Sequence, residues 1–202
     1  MTLRLPQNYV PIHYDLYIRY FKNKFPFPAS VTITFKKNQD SDKTYLRVLN
    51  NIIINKVIQN NIKLEFNWEF PQLIIYRSKD PDQDISSYPI TIDYEVLPDL
   101  IGEKGFYAYK DSFLTSFEPD LTPYLLPCFD DPSVRSSFTV KIRIPANLTG
   151  ISNMPIENCT TFGEEKEITF QPTPPMCCYL LSIFVGPFNS IADVTKNGTP
   201  VI

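Results

Sequence analysis

The sequence contains a single histidine, and this scarcity excludes the commonest kind of catalytic zinc site. An H-E-x-x-H site needs two imidazoles one helical turn apart. His13 stands alone in a run that alternates like a strand, so we expect an ordinary polar residue on the solvent face of a first strand. No cysteine is near it in sequence, and nothing pairs it with Cys128 as a base with a nucleophile. The sequence therefore predicts no metal ligand and no catalytic group in this chain.

Glycine is also scarce, with six residues, and neither a Gly-rich phosphate loop nor a G-x-S-x-G motif is present. No basic run accompanies the formal net charge of −3, which argues against nucleic acid and anionic membranes as partners. No apolar stretch approaches the ~20 residues of a membrane span. No signal-peptide core follows the first methionine. We therefore expect a soluble, cytoplasmic protein without a membrane span.

The cysteine pattern does not suggest a disulfide framework. There is no C-x-x-C motif, and two of the four cysteines are adjacent, so we expect free thiols at Cys128, Cys159, Cys177 and Cys178. Three N-x-T sequons begin at Asn147, Asn158 and Asn197, and they would matter only in a secreted protein. A secreted, glycosylated adhesion-type β-sandwich is therefore a third and weaker hypothesis.

Alternation of apolar and polar residues dominates what is present. Period-two patterns predict half-buried strands over residues 13–20, 31–35, 62–66, 88–96 and 138–144. Residues 52–54 and 179–185 are apolar on both faces, which is typical of central strands covered on both sides. No segment carries a sustained helical pattern. The prediction is one all-β domain of about a dozen strands in more than one sheet.

Two local features are predicted to be turns. Residues 120–126 fit a single helical turn, with Asp120 as its cap and Pro123 in its first turn. Asn197-Gly198 fits a two-residue hairpin turn between strands at 191–194 and 200–202. Charged loop tips are expected at 79–84 and 163–166.

Residues 115–132 are the least strand-like part of the chain. Four prolines, three aromatic residues, several carboxylates and a cysteine fall within them. Each proline fixes φ and removes a donor, so this backbone is stiff and cannot form a central strand. A stiff segment holds its side chains in fixed places, as a recognition site requires.

Several motifs, in this order and spacing, resemble the N-terminal domain of the gluzincin zinc aminopeptidases. That family includes aminopeptidase N, puromycin-sensitive aminopeptidase and the leukotriene hydrolases. Its pattern contains R-L-P…P-x-H-Y-D-L, G-F-Y, T-Q-F-E-P-T-x-A-R, F-P-C-F-D-E-P, S-N-M-P, T-x-x-M-S-T-Y-L and V-G-x-F. The matching segments are 4–6 with 11–16, 105–107, 115–119, 126–132, 152–156, 173–180 and 185–188.

The resemblance covers residues 3–202 and implies a saddle-shaped, multi-sheet β domain. In the family this domain caps a thermolysin-like zinc domain, which would follow residue 202, so zinc is expected only in that absent domain. The family's T-Q-F-E glutamate helps bind the free α-amino group of the peptide substrate, and Glu118 matches it. Ser116 occupies the position of the family's pocket-lining glutamine. An ionised carboxylate only accepts hydrogen bonds and an ammonium offers three donors, so this role is chemically sound.

Departures from the family pattern keep a second hypothesis open. Ser116 replaces glutamine, residues 120–124 lack the family's arginine, and Asp131 replaces glutamate. We expect Pro127, Cys128 and Phe129 to be packing residues rather than site residues. The chain is then either the substrate-anchoring domain of an aminopeptidase or a stand-alone binding or scaffolding domain derived from the same fold.

Overall fold

The computed structural model describes residues 4–21, 24–77, 89–102, 105–191 and 193–201. Over these ranges the chain forms seventeen strands and two short 3-10 turns, so the all-β prediction is confirmed. Three strands have only two residues, which raises the number above the predicted dozen. Tyr88, the charged loop at 79–84 and Ile202 lie outside the described residues. None of the described helices is long and apolar enough to cross a membrane.

The strands are numbered in chain order. They are β1 Tyr9–Arg19, β2 Phe27–Lys37, β3 Lys43–Arg47, β4 Ile52–Gln59, β5 Ile62–Lys63, β6 Glu65–Glu69, β7 Gln72–Tyr76, β8 Ile90–Val96, β9 Gly105–Tyr109, β10 Ser112–Ser116, β11 Ser137–Pro145, β12 Thr149–Ser152, β13 Ile156–Phe162, β14 Glu165–Phe170, β15 Ile183–Gly186, β16 Asp193–Val194 and β17 Pro200–Val201. The 3-10 turns are Thr122–Tyr124 and Cys178–Leu180.

The described strands form four sheets. The largest has eight strands in the order β13-β14-β11-β1-β2-β8-β4-β5. A four-stranded sheet has the order β12-β15-β10-β9, a three-stranded sheet the order β3-β7-β6, and β16 pairs with β17. The β1–β11 pair is parallel, whereas the other strand pairs of these sheets are antiparallel among the described residues. A parallel neighbour needs a long connection, and here the chain between β1 and β11 forms β2 to β10 and the first 3-10 turn.

Four of the five predicted alternating runs form strands in the described residues, and their apolar faces form the core. The predicted strand at 62–66 is wrong in part, because it is divided between β5 and β6 of different sheets and Ile62 is exposed. In β1, Tyr14, Leu16 and Ile18 are buried, and in β8 the alternate residues Ile90, Ile92, Tyr94 and Val96 are buried. Each such side chain contributes about 1.5–3 kcal/mol on burial. Rings from two sheets meet here, because Phe27 of β2 lies 5.8 Å from Phe106 of β9 and 6.2 Å from Phe113 of β10, centroid to centroid.

One segment crosses between the sheets and is buried throughout. Residues 125–131, here called the crossing segment, have no exposed member. The Arg47 N–H in β3 donates to the Cys128 carbonyl at 2.7 Å, and the Cys128 N–H returns a bond of 3.1 Å. The Phe129 N–H donates to the Tyr14 hydroxyl at 3.0 Å. The crossing segment therefore joins the three-stranded sheet to the eight-stranded sheet, and Pro127, Cys128 and Phe129 are buried within it.

A glycine lets the four-stranded sheet approach the start of this segment. Gly105, the first residue of β9, has a φ of +70°, in the left-handed region that favours glycine. A Cβ at this position would lie 2.8 Å from the ring of Tyr124, just before the crossing segment. The close contact brings β9 against the 3-10 turn.

The two predicted central strands are wrong in part. Ile53 is half-exposed, since β4 lies next to the edge of the large sheet and is paired there only with the two-residue β5. The run at 179–185 starts in the 3-10 turn Cys178–Leu180, and only its end belongs to β15. That strand is indeed internal in its sheet. Leu181, the residue after this turn, is buried in the core without belonging to a strand.

The turn predictions hold in outline and fail in detail. The 3-10 turn Thr122–Tyr124 lies within the predicted 120–126, but its N-cap is Leu121, without a side-chain cap bond, and not Asp120. The C-terminal hairpin forms, but five residues separate β16 from β17 instead of two. The Thr199 N–H donates to Thr195 Oγ1 at 3.0 Å, which stabilises this wider turn, and Gly198 has a φ of +80° within it.

Replacing Tyr14 with phenylalanine tests the attachment of the crossing segment. The ring of Tyr14, stacked on Phe138 with centroids 4.8 Å apart, would be retained. The buried N–H of Phe129 would lose its acceptor, so we expect Tyr14→Phe to lower the free energy of unfolding by about 1–3 kcal/mol. Urea unfolding measures this. Tyr17→Phe, on the other face of β1, should change it by less than about 0.5 kcal/mol. Equal losses in the two variants would contradict the role of the Tyr14 hydroxyl.

Candidate functional site

Glu118 lies just after β10, between a buried residue and a proline. Phe117 is buried in the core, whereas Glu118 and Pro119 are exposed. The Leu121 N–H donates to the Phe117 carbonyl at 2.7 Å, which closes the chain into a turn directly after the glutamate. The backbone that carries Glu118 is thus fixed on both sides.

Thr115 attaches the same strand end to β15. Its Oγ1 accepts a hydrogen bond from the Ile183 N–H at 2.8 Å and donates to the Ile183 carbonyl at 3.2 Å. Thr115 is buried, so this side chain replaces two backbone bonds that the sheet itself does not make here. The position of Glu118 therefore depends on β15 as well as on β10.

The Glu118 carboxylate faces solvent with free acceptor capacity. Across the described ranges it makes no hydrogen bond and no ion pair. Its charge acts on Tyr179, the half-buried residue next to Cys178. The pKa of Tyr179 is raised, first by its hydrogen bond with Cys177 and in smaller part by the negative charge of Glu118. An acceptor-only group is thus held beside a phenol ring on the surface.

Ser116 shares the face of Glu118. Along residues 115–118 burial alternates, with Thr115 and Phe117 buried and Ser116 and Glu118 exposed. Residues two apart in an extended chain point the same way. The two predicted site residues therefore share one exposed face. Tyr179 was not predicted there, because sixty residues of sequence separate it from Ser116 and Glu118 and no local pattern links them.

A charged cavity of about 560 Å³ lies on the side of Pro119 and Asp120. Its charged lining residues are Arg4, Arg47, Asp120, Asp130 and Asp131. Burial raises the pKa of Asp131, but bonds from the Ser133 hydroxyl and N–H, with help from Arg4, hold it below its ordinary value. Arg4 Nε lies 3.5 Å from the Asp131 carboxylate.

The neighbouring Asp130 has a different environment. Its carboxylate lies 3.4 Å from the guanidinium of Arg47 and accepts a bond from the Cys178 thiol at 3.3 Å. Burial raises the pKa of Asp130, and those two partners oppose the rise. Asp130 and Asp131 thus have separate hydrogen-bond partners.

His13 belongs to a polar cluster on the outer face of the large sheet. Its Nδ1 lies 2.7 Å from Ser137 Oγ, and its Nε2 lies 3.1 Å from Asp15 and 3.3 Å from Thr139 Oγ1. The composition is that of a hydrolytic triad, but β1 is paired on both sides, with β2 and β11, so the strand ladder uses the backbone donors that an oxyanion would need. The cluster consists of cross-strand bonds to Ser137 and Thr139 of β11 and of a contact with Asp15 within β1.

The same geometry separates His13 from Cys128. Adjacent residues of a strand point to opposite faces. Tyr14 faces inward and bonds Phe129 beside Cys128, so His13 faces away from that thiol. The structure does not bring the two together as a base and a nucleophile.

Comparison with known proteins identifies the class. A family model described as "Peptidase M1 N-terminal domain" matches residues 10–180. Among curated relatives, the puromycin-sensitive aminopeptidase of Caenorhabditis elegans is 30% identical over 96% of this chain and 22% of its own length. Human endoplasmic reticulum aminopeptidase 1 is 26% identical over 98% of this chain and 23% of its own length. The chain thus spans about a quarter of these relatives.

Solved structures agree on the fold. The crystal structure of an M1 zinc metallopeptidase from Deinococcus radiodurans superposes with a TM-score of 0.77 at 21% identity, over 96% of this chain and 46% of that one. A two-domain M1 zinc metallopeptidase mutant bound to L-tryptophan gives a TM-score of 0.80 at 20% identity, over 97% of this chain and 47% of that one. The fold is that of a peptidase's N-terminal β domain. The chain belongs to the M1 peptidase N-terminal domain family.

Two buried threonines provide a matched test of how the strand end below Glu118 is held. We expect Thr115→Val to cost about 1–3 kcal/mol in urea unfolding, since it leaves the N–H and carbonyl of Ile183 without their partner. The buried Thr122 hydroxyl has no hydrogen-bond partner among the described residues, so Thr122→Val should be neutral or stabilising. Similar destabilisation of both variants would contradict the bridging role of Thr115.

Proposed function

We propose that this chain is the non-catalytic, substrate-anchoring domain of a zinc aminopeptidase. In this role it packs against a thermolysin-like catalytic domain that follows residue 202, and Glu118 binds the free α-amino group of the peptide substrate. The zinc and the groups that cleave the peptide belong to the catalytic domain. The contribution of this chain is selection for a free N-terminus and orientation of the substrate.

The observation that supports the proposal is the exposure of the Glu118 carboxylate and its lack of a partner among the described residues. It is exposed, it makes no ion pair with any described residue, and its backbone is fixed by Phe117 and Thr115. A carboxylate on a fixed backbone loses only its side-chain rotamer freedom when it binds a ligand. An ammonium group would donate a charge-assisted hydrogen bond of about 2.8 Å to this carboxylate. A peptide without a free amine offers no such charge.

Ser116 would set the size of the first side-chain pocket. Its side chain shares the face of Glu118 and is shorter than the glutamine of the family pattern. The pocket next to the anchored amine would then be roomier and still carry one hydroxyl for hydrogen bonding. We therefore infer that bulky first residues are accepted.

Exposed apolar side chains favour the domain-capping role over a stand-alone one. Several lie towards the C-terminal end, among them Ile151, Ile156, Phe162, Leu180, Ile191 and Val194. Ile191 is 88% exposed, and isolated domains rarely leave many such groups uncovered. A stand-alone binding or scaffolding domain remains the alternative, motivated by Ser116 and by the changed residues 120–124. A reading frame that continues without G-x-M-E-N and H-E-x-x-H would favour that alternative.

Glu118→Gln in the enzyme expressed from the complete reading frame tests the anchor. Glutamine keeps the shape but removes the charge, so kcat/KM for a peptide with a free N-terminus should fall about 10- to 100-fold, largely through KM. Asp120→Asn removes an equally exposed carboxylate two residues away and should retain kcat/KM within about twofold. Unchanged kinetics in Glu118→Gln, or an equal loss in both variants, would contradict the proposal.

The isolated chain should reveal the face that the catalytic domain covers. We expect the 202-residue chain to enhance the fluorescence of a hydrophobic dye or to self-associate, because apolar groups such as Leu180 and Ile191 are exposed. Ile191→Ser combined with Leu180→Ser should reduce the signal. Cys159→Ser, on the exposed strand β13, is the control and should leave it unchanged. A monomeric chain that binds no dye would favour the stand-alone alternative.

A further inference from the structure

A cluster of soft and acidic side chains is buried behind the candidate site. Cys128 and Asp130 come from the crossing segment, and Cys178 opens the second 3-10 turn. One ligand atom from each, two thiol sulfurs and a carboxylate oxygen, lies within 4.8 Å of the others. Their exposures are 0%, 7% and 6%. Nothing in the proposed anchoring role uses this cluster.

The backbone fixes all three residues. Cys128 exchanges two backbone bonds with Arg47, and the Leu181 N–H donates to the Cys178 carbonyl at 3.0 Å. The Cys178 thiol already donates to Asp130 Oδ1 at 3.3 Å, while Arg47 contacts Asp130 Oδ2 at 3.4 Å. The ligand atoms are therefore held near one another without a metal.

We propose that Cys128, Asp130 and Cys178 form a binding site for a thiophilic divalent metal ion of the zinc class. Tetrahedral zinc with sulfur at ~2.3 Å and oxygen at ~2.1 Å separates its ligand atoms by about 3.5–3.8 Å. The cluster meets that spacing with small side-chain movements. A water molecule would occupy the fourth position.

Charge supports the same assignment. Two thiolates and one carboxylate carry three negative charges, which a divalent cation and the Arg47 guanidinium balance. A neutral total suits a buried site, where uncompensated charge is costly. Arg47, bonded to the carboxylate oxygen that faces away from Cys178, would orient the ligand as outer groups do around metals.

A second observation is a buried hydroxyl beside this cluster that has no hydrogen-bond partner among the described residues. Tyr94 is 1% exposed, and no described group makes a hydrogen bond with its hydroxyl. Cys128 is its neighbour, since burial and then the Cys128 thiol raise the pKa of Tyr94. A metal-bound thiolate at Cys128 would offer this buried donor a strong acceptor. The neutral thiol is a weak one.

The site differs from the sequence expectation of no metal ligand. That expectation rested on the lone His13 and on motifs of closely spaced ligands. Here fifty residues of sequence separate Cys128 from Cys178, and the fold alone brings them together. Cys178 also stands where the family pattern has threonine, so the residue exchange itself supplies the second sulfur.

Titration of the purified 202-residue chain with Co²⁺ tests the site. We expect one equivalent to produce a thiolate-to-cobalt charge-transfer band, Zn²⁺ to abolish the band by displacement, and Zn²⁺ to raise the Tm. Cys178→Thr restores the family residue and should fold, yet lose both the band and the Tm shift. Asp130→Asn is a second variant, expected to weaken Co²⁺ binding.

Two cysteine variants serve as controls. Cys177→Ser and Cys159→Ser remove thiols outside the cluster, since Cys177 donates to the Pro132 carbonyl and Cys159 is exposed. Both should retain the band and the Tm shift. Absence of the band in the unsubstituted chain, its persistence in Cys178→Thr, or its loss in Cys159→Ser would overturn the proposal. This result is independent of the kinetics of Glu118→Gln.

Discussion

The burial of the crossing segment is the constraint on which the rest of the structure depends. Backbone bonds to Arg47 attach it to the three-stranded sheet, and the Tyr14 hydroxyl attaches it to the eight-stranded sheet. Just before it, Tyr124 packs on Gly105 of the four-stranded sheet. The seven residues of the crossing segment, together with the tyrosine before them, thus contact three of the four sheets, and they follow the turn that carries Glu118.

The sequence was sufficient wherever one face of a strand meets the core and the other meets water. The alternation around Tyr14 and Ile92 predicted β1 and β8 because burial at every second residue is a local property. Ser116 and Glu118 were also predictable as neighbours, since residues two apart in an extended chain share a face. The motif order around them indicated the family, which the comparisons confirm.

Long-range pairing could not be predicted in this way. Ile53 looks like a central-strand residue, yet β4 lies near a sheet edge, and sheet order is not encoded in apolar content. The run at 179–185 starts in a 3-10 turn in which Leu180 is exposed while the following Leu181 is buried, and apolar content alone does not distinguish these two environments. Cys178 meets Cys128 only through the fold, so the cluster had no local signal.

The carboxylates of Asp130 and Glu118 have opposite environments. Asp130 is buried and bonded to Arg47 and Cys178, whereas Glu118 is exposed and unpaired within the described residues. Under the proposed function, the Glu118 carboxylate binds the amine of the substrate. A crystal structure of the complete enzyme with a bound free amino acid tests this most directly. We predict the amine nitrogen about 2.8 Å from a Glu118 carboxylate oxygen. An amine bound elsewhere, with Glu118 still facing solvent, would contradict the proposed role of Glu118.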